Sequence, residues 1–166
     1  MQKIILQITQ ENDSVIHDKR FECFILSETL PSHFKSSFAQ TARACGKIVL
    51  GLSVSDCLAY QLDGVIFDFS KSEHISADYK RAVKDLKNKF IGLITRNRRH
   101  EAMLTSECEP HFIIFRAWKD GAEKILELTA WYNEMFLIQS ALWPAEDVDF
   151  AHFQTDFVIL PDTSVK

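Results

Sequence analysis

Short, almost unbroken apolar runs alternate along this chain with longer stretches whose apolar residues recur at helical spacing. The segment from Phe90 to Phe115 displays the unit. Phe90-Ile91-Gly92-Leu93-Ile94 is too short and too β-branched for a buried helix and predicts a strand. Thr95-Arg96-Asn97 is a polar loop able to cap a helix, and residues 98–108 predict that helix, with Ala102, Met103 and Leu104 as its apolar stripe. Pro110 forbids further helix, and residues 112–115 predict a second strand. Strand, helix, strand at this spacing is a βαβ crossover, whose two strands run parallel.

The same alternation predicts strands over residues 3–8, 21–26, 47–52, 64–69, 135–138 and 157–160. Helices are predicted over residues 33–45, capped by Ser32 and stopped by Gly46, and over 55–62, capped by Ser55 with Leu58, Ala59 and Leu62 inward. Further helices are predicted over 76–87 (Tyr79, Val83 and Leu86 inward), 121–132 (Ile125, Leu126 and Leu128) and 145–153, with Pro144 at its start. Near-continuous apolar strands are buried on both faces, as in a parallel sheet wrapped by helices. The predicted fold is a single-domain (β/α)8-type barrel, shortened or incomplete, with its last helix missing. The alternative is an open doubly wound parallel sheet.

Composition narrows the function more than the fold. The 166 residues are 46% hydrophobic with a net charge of −4, so a folded core is expected and nucleic acid is not an expected partner. No apolar run reaches the roughly 18 to 20 residues of a membrane helix, and the first residues do not resemble a signal peptide. Cys23, Cys45, Cys57 and Cys108 lack CxxC spacing and read as buried free thiols of a cytoplasmic protein. The six histidines form no HxH or HExxH pair, and no GxSxG occurs. Only five glycines are present and none are paired, so a backbone phosphate cradle is under-supplied.

Several segments taken together are similar to the thiamine phosphate synthase/TenI family over residues 47–165. Leu58-Ala59-Tyr60-Gln61-Leu62-Asp63-Gly64-Val65 resembles that family's LAxxLGADGVHL segment. Phe90-Ile91-Gly92-Leu93-Ile94 resembles its IGVS strand, and Arg99-His100-Glu101-Ala102 the hEAxxA helix behind it. Glu109 to Phe115 resembles GADYVxFG, Phe136 to Ser140 stands in the place of VVAIGG, and Thr155 to Leu160 in that of GADGVAVV. The resemblance implies a barrel that joins a pyrimidine pyrophosphate to a thiazole phosphate, with Mg²⁺ on the pyrophosphate.

The stations for that reaction are altered. Asp56 and Asp68 are the candidates for the metal carboxylates, but Asp56 also suits a helix N-terminus, and Lys71 falls near the second metal position. The family's Gln-x-Arg-x-Lys strand has no counterpart, as if one βα unit were missing. Gln139 and Ser140 replace its paired glycines, and the GPxFxTxTK loop is reduced to Arg116-Ala117-Trp118-Lys119. The resemblance therefore implies a divergent member that has lost the synthase reaction, needing no cofactor, or Mg²⁺ if the activity is retained. Arg96, Arg98, Arg116, Lys119, Gln139 and Ser140 are the candidates for holding a phosphorylated small molecule at the strand C-termini. The alternative is a non-catalytic remnant serving assembly. Apolar flanks left bare by the missing helix lead to the expectation of a homo-oligomer, most simply a dimer.

Overall fold

The computed structural model describes residues 2–165. Its eight strands are β1 (Lys3–Ile8), β2 (Cys23–Leu26), β3 (Ile48–Gly51), β4 (Gly64–Asp68), β5 (Phe90–Ile94), β6 (Phe112–Ala117), β7 (Gln139–Pro144) and β8 (Phe157–Pro161). They follow one another in chain order as a closed parallel barrel, which selects the barrel over the open sheet. Five helices accompany them: α1 (Ser32–Ala44), α2 (Val54–Tyr60), α3 (Ile75–Ala82), α4 (Arg99–Glu107) and α5 (Ala122–Met135). The strand count is complete, so no βα unit is missing between Glu28 and Lys47. What is reduced is the helical layer. Short 3-10 turns, Ser14–His17 and Asp162–Ser164, follow β1 and β8, and β7 runs into an irregular segment.

The chain divides into two compact units: residues 67–158 with residues 2–3, and residues 4–66 with residues 159–165. In the second unit, α1 buries Phe34, Phe38 and Ala42 at helical spacing. The side chain of Ser32 does not cap it. Pro31 is the N-cap residue, and the Ser32 hydroxyl accepts from the Tyr60 hydroxyl at 2.8 Å. Gly46, at φ +72°, ends the helix as its spacing predicts. The next helix, α2, has its N-cap at Ser53, two residues before the predicted cap Ser55. Ser53 Oγ accepts from the Asp56 amide, and the inward residue is Cys57, whereas Leu58 is half exposed.

In the first unit, Ile91 and Leu93 of β5 pack with Tyr79, Val83 and Leu86 of the α3 region. Ile113, Phe115 and Ala117 of β6 and Leu142 of β7 pack with Ala102 of α4 and with Ile125, Leu128 and Tyr132 of α5. Met103 is exposed, and the buried face of α4 is Ala102, Thr105 and Ser106. Because strand side chains alternate, Gly92, Phe112, Ile114, Arg116, Ala141 and Trp143 lie on the opposite sheet face. There the Phe112 ring sits so close to Gly92 that a Cβ on the glycine would meet its Cζ at 2.6 Å.

Two predicted elements are corrected. Residues 135–138 are not a strand: Met135 ends α5, and the strand is displaced to Gln139–Pro144. Residues 145–153 are not a helix, and Pro144 is the last residue of β7 rather than a helix start. Val148 and Phe153 of this irregular segment are buried in the same cluster as Leu142, covering the strand as a helix would. Val158 and Ile159 of β8 are also buried, whereas Phe157, Leu160 and Pro161 of the same strand are partly exposed. The exposed large apolar residues lie elsewhere and include Phe90, Trp118, Met135 and Leu137.

All four cysteines are free, and Cys45 is exposed rather than buried. Burial, with a smaller contribution from Asp63, pushes the Cys23 thiol up to about 12. Below that pH Cys23 stays a thiol, and only thiolate is a good nucleophile. Iodoacetamide at pH 8 is expected to label Cys45 first and to leave Cys23 unlabelled in the native protein, as read by peptide mass spectrometry. Labelling of Cys23 at the rate of Cys45 would contradict this.

Candidate functional site

The carboxyl ends of β5 and β6 gather the most concentrated polar chemistry of the first unit. Pairing of β5 with β6 runs on past the strand, since the Thr95 amide donates to the Ile114 carbonyl at 3.0 Å. Thr95 is buried, and its hydroxyl lies 3.2 Å from that of Thr105 on α4. This contact turns the loop outward and leaves Arg96, Asn97 and Arg98 at the strand ends. The loop does not cap α4 with a side chain. Arg98 is the N-cap residue in extended conformation and makes no capping hydrogen bond.

Arg96 Nε donates to the Ser70 carbonyl at 2.9 Å, which fixes its guanidinium beside the loop after β4. Asn97 Nδ2 donates to the Arg116 carbonyl at 2.9 Å and straps the two loops together. The guanidinium of Arg116, opposite Trp143 in the β6–β7 register, lies 4.6 Å from the centroid of the Trp143 ring. Ser70, Thr95, Arg96, Asn97, Arg98, Arg116 and the half-exposed Trp118 line a cavity of about 340 Å³. Among the described residues no carboxylate lies within ion-pairing distance of Arg96, Arg98 or Arg116.

Polar satisfaction is poor at this place. Asn97 Oδ1 and Arg116 Nε are buried without a hydrogen-bond partner. Nearly all buried polar atoms in folded proteins are paired, so unpaired ones grouped at strand ends ask for a functional reason. The other such side-chain atoms among the described residues are Glu101 Oε2 on α4 and Ser140 Oγ on β7, neither in a residue that lines the cavity.

The remaining candidates fall elsewhere. Gln139 and Ser140 open β7, opposite Phe112 and Ile113, at the amino end of the strands and not with Arg96 and Arg116. Their displacement follows from the shifted strand boundary. The Ser140 amide donates to Asp156 at 2.9 Å. Lys119 is exposed beyond Trp118 and does not line the cavity. Arg99, next to Arg98 in the chain, does not line the cavity, and its guanidinium lies over the Trp131 ring at 5.1 Å. Asp68 is exposed at the end of β4 and accepts from the Ser70 amide and hydroxyl, a local turn. Asp162 accepts from the Thr9 amide and hydroxyl and from the Gln10 amide.

Asp56 is held by a cation. Lys35 Nζ lies 2.9 Å from its carboxylate, also donates to the Glu28 carbonyl at 2.8 Å, and sits over the Tyr60 ring. Both side chains are largely buried, at 7% and 15% exposure. No sequence pattern announces this pair, because Lys35 sits between Phe34 and the exposed face of an ordinary amphipathic helix. Among the described residues no three His, Cys, Asp or Glu side chains are grouped as a metal-ligand set.

Eight parallel strands closed in order, with helices in the crossovers and polar loops at the carboxyl ends, define a (β/α)8-type barrel. No protein-family model matches the chain, and no curated protein matches it by sequence. Among solved structures it is similar to a variant of the citrate synthase SbnG, with a TM-score of 0.63 and 12% identity. That match covers 98% of this chain and 87% of the other. A likeness at such identity concerns the fold, while chemistry is a property of the site.

Proposed function

We propose that this chain is a divergent barrel of thiamine phosphate synthase/TenI type that has lost the synthase reaction and binds a phosphorylated small molecule at Arg96, Arg98 and Arg116. The observation that carries this reading is the cavity at the ends of β5 and β6, where three guanidiniums have no carboxylate partner among the described residues. Unneutralised guanidiniums in a concave site suit a phosphate, which each can meet with parallel N–H donors. Loss of the synthase reaction is supported by Lys35 on Asp56, since an ammonium there competes with a divalent cation. It is supported too by the position of Gln139 and Ser140 at the amino end of β7. Mg²⁺ has no part in this reading. Asp56 and Asp68 would hold it only in a chain that kept the reaction.

Calorimetric titration with pyrophosphate tests the proposal. Binding is expected in the presence of EDTA, and Arg116→Ala is expected to weaken it about tenfold, the effect of losing a charge-assisted hydrogen bond. Absence of binding to the parent protein, or equal binding to the variant, would sink the anion site. Formation of thiamine phosphate from the two family substrates would sink the loss of catalysis.

A further inference from the structure

Accepting the anion site just described, we infer that its ligand is a hydroxylated oxyanion, one that offers an O–H donor close to its charged group. The inference comes from the unpaired atoms of two lining residues, which make opposite demands. Arg116 Nε is a donor without an acceptor, and Asn97 Oδ1 is an acceptor without a donor. Neither reaches bulk water, so neither is satisfied by solvent at the surface. The other end of the Asn97 amide is already committed to the Arg116 carbonyl, which fixes Oδ1 as the free end.

An oxyanion alone meets only half of this. Its oxygens accept from Arg116 and from the neighbouring guanidiniums, but against Asn97 Oδ1 they would set acceptor against acceptor. A hydroxyl on an adjacent carbon supplies the missing donor while the charged group stays with the arginines. Because neither atom is open to solvent, a neighbouring side chain must turn aside to admit such a group; Arg98 and Trp118, both exposed, line the same cavity. Trp118 then gives an apolar wall to the carbon skeleton. Sugar phosphates and hydroxycarboxylates share this chemistry.

The test compares ligands that differ only in hydroxyls: glycerol 3-phosphate against n-propyl phosphate, and glycerate against propionate, by calorimetry on the full chain. Within at least one pair the hydroxylated ligand is expected to bind about tenfold more tightly, because leaving a buried acceptor unpaired is costly. The pair that shows the difference tells a phosphate ligand from a carboxylate one. In Asn97→Ala the two members of that pair are expected to come within twofold of each other. Equal binding within both pairs would mean that an ordered water serves the two atoms, and would overturn the inference. A preference kept in Asn97→Ala would overturn it as well. If pyrophosphate binds and none of the four ligands does, the inference falls and the anion site stands; if pyrophosphate also fails, the site itself falls. Should Asn97→Ala not fold, the comparison within the parent protein decides.

Discussion

Asp56→Ala is expected to destabilise the protein by about 3–5 kcal/mol, the cost of stranding a buried charge. The charge is Lys35, whose side chain is 7% exposed and whose ammonium would keep only the Glu28 carbonyl and the Tyr60 ring. Urea unfolding reads the loss as a lower midpoint at unchanged slope. The double variant Lys35→Met with Asp56→Leu is expected to recover most of it, since an apolar pair of similar size carries no desolvation penalty. A metal role for Asp56 predicts something different. Mg²⁺ would then raise the midpoint of the parent and not of Asp56→Ala. A single variant as stable as the parent would show that the pair is no anchor.

Gly92→Ala is the second large effect, expected at about 1–3 kcal/mol of destabilisation from overpacking. The added methyl meets three atoms of the Phe112 ring at 2.6 to 3.0 Å. That ring is buried and lies 6.1 Å from the Phe157 ring, so its room to retreat is small. Phe112→Leu in the Gly92→Ala background is expected to restore part of the melting temperature. Gly46→Ala is the control: its Cβ would meet nothing within 4 Å, and only the left-handed backbone opposes it. If both glycine variants melt alike, close approach at Gly92 is not what excludes a side chain.

These two sites show where sequence reasoning reaches and where it stops. The strand at Phe90–Ile94 and the helix after it are legible because periodicity and Pro110 agree, and together they lead to a parallel barrel. Helix α1 is legible for the same reason, through Phe34, Phe38, Ala42 and Gly46. Residues 135–153 mislead because Met135, Phe136 and Leu137 form an apolar run in which Leu137 is fully exposed. The true strand begins on polar Gln139 and Ser140 and ends on a proline. Val148 and Phe153 are buried in the core, with Phe150 packed against it, yet they reach it from an irregular path. At the site, Arg96, Arg98 and Arg116 are found by their places at strand ends. Asn97 escapes, since a single amide in a loop carries no signal until its partner across the sheet is known. Lys35 and Asp56 escape for the same reason, being 21 residues apart.

The seam between residues 2–10 and residues 153–162 is bound by contacts between positions about 150 residues apart. Lys3 donates through its amide to Asp156, Gln2 Nε2 donates to Phe153 and Thr155, and Asp162 receives Thr9 and Gln10. During synthesis β1 emerges before the other seven strands, and β2 gives it one neighbour almost at once. Its other edge stays open until residues 153–162 leave the ribosome. Such non-local pairing is slow to form, and an open strand edge invites association with other chains. A nascent chain stalled before residue 153 would therefore be a client for holding chaperones, and closure of this seam would mark the moment at which it is released.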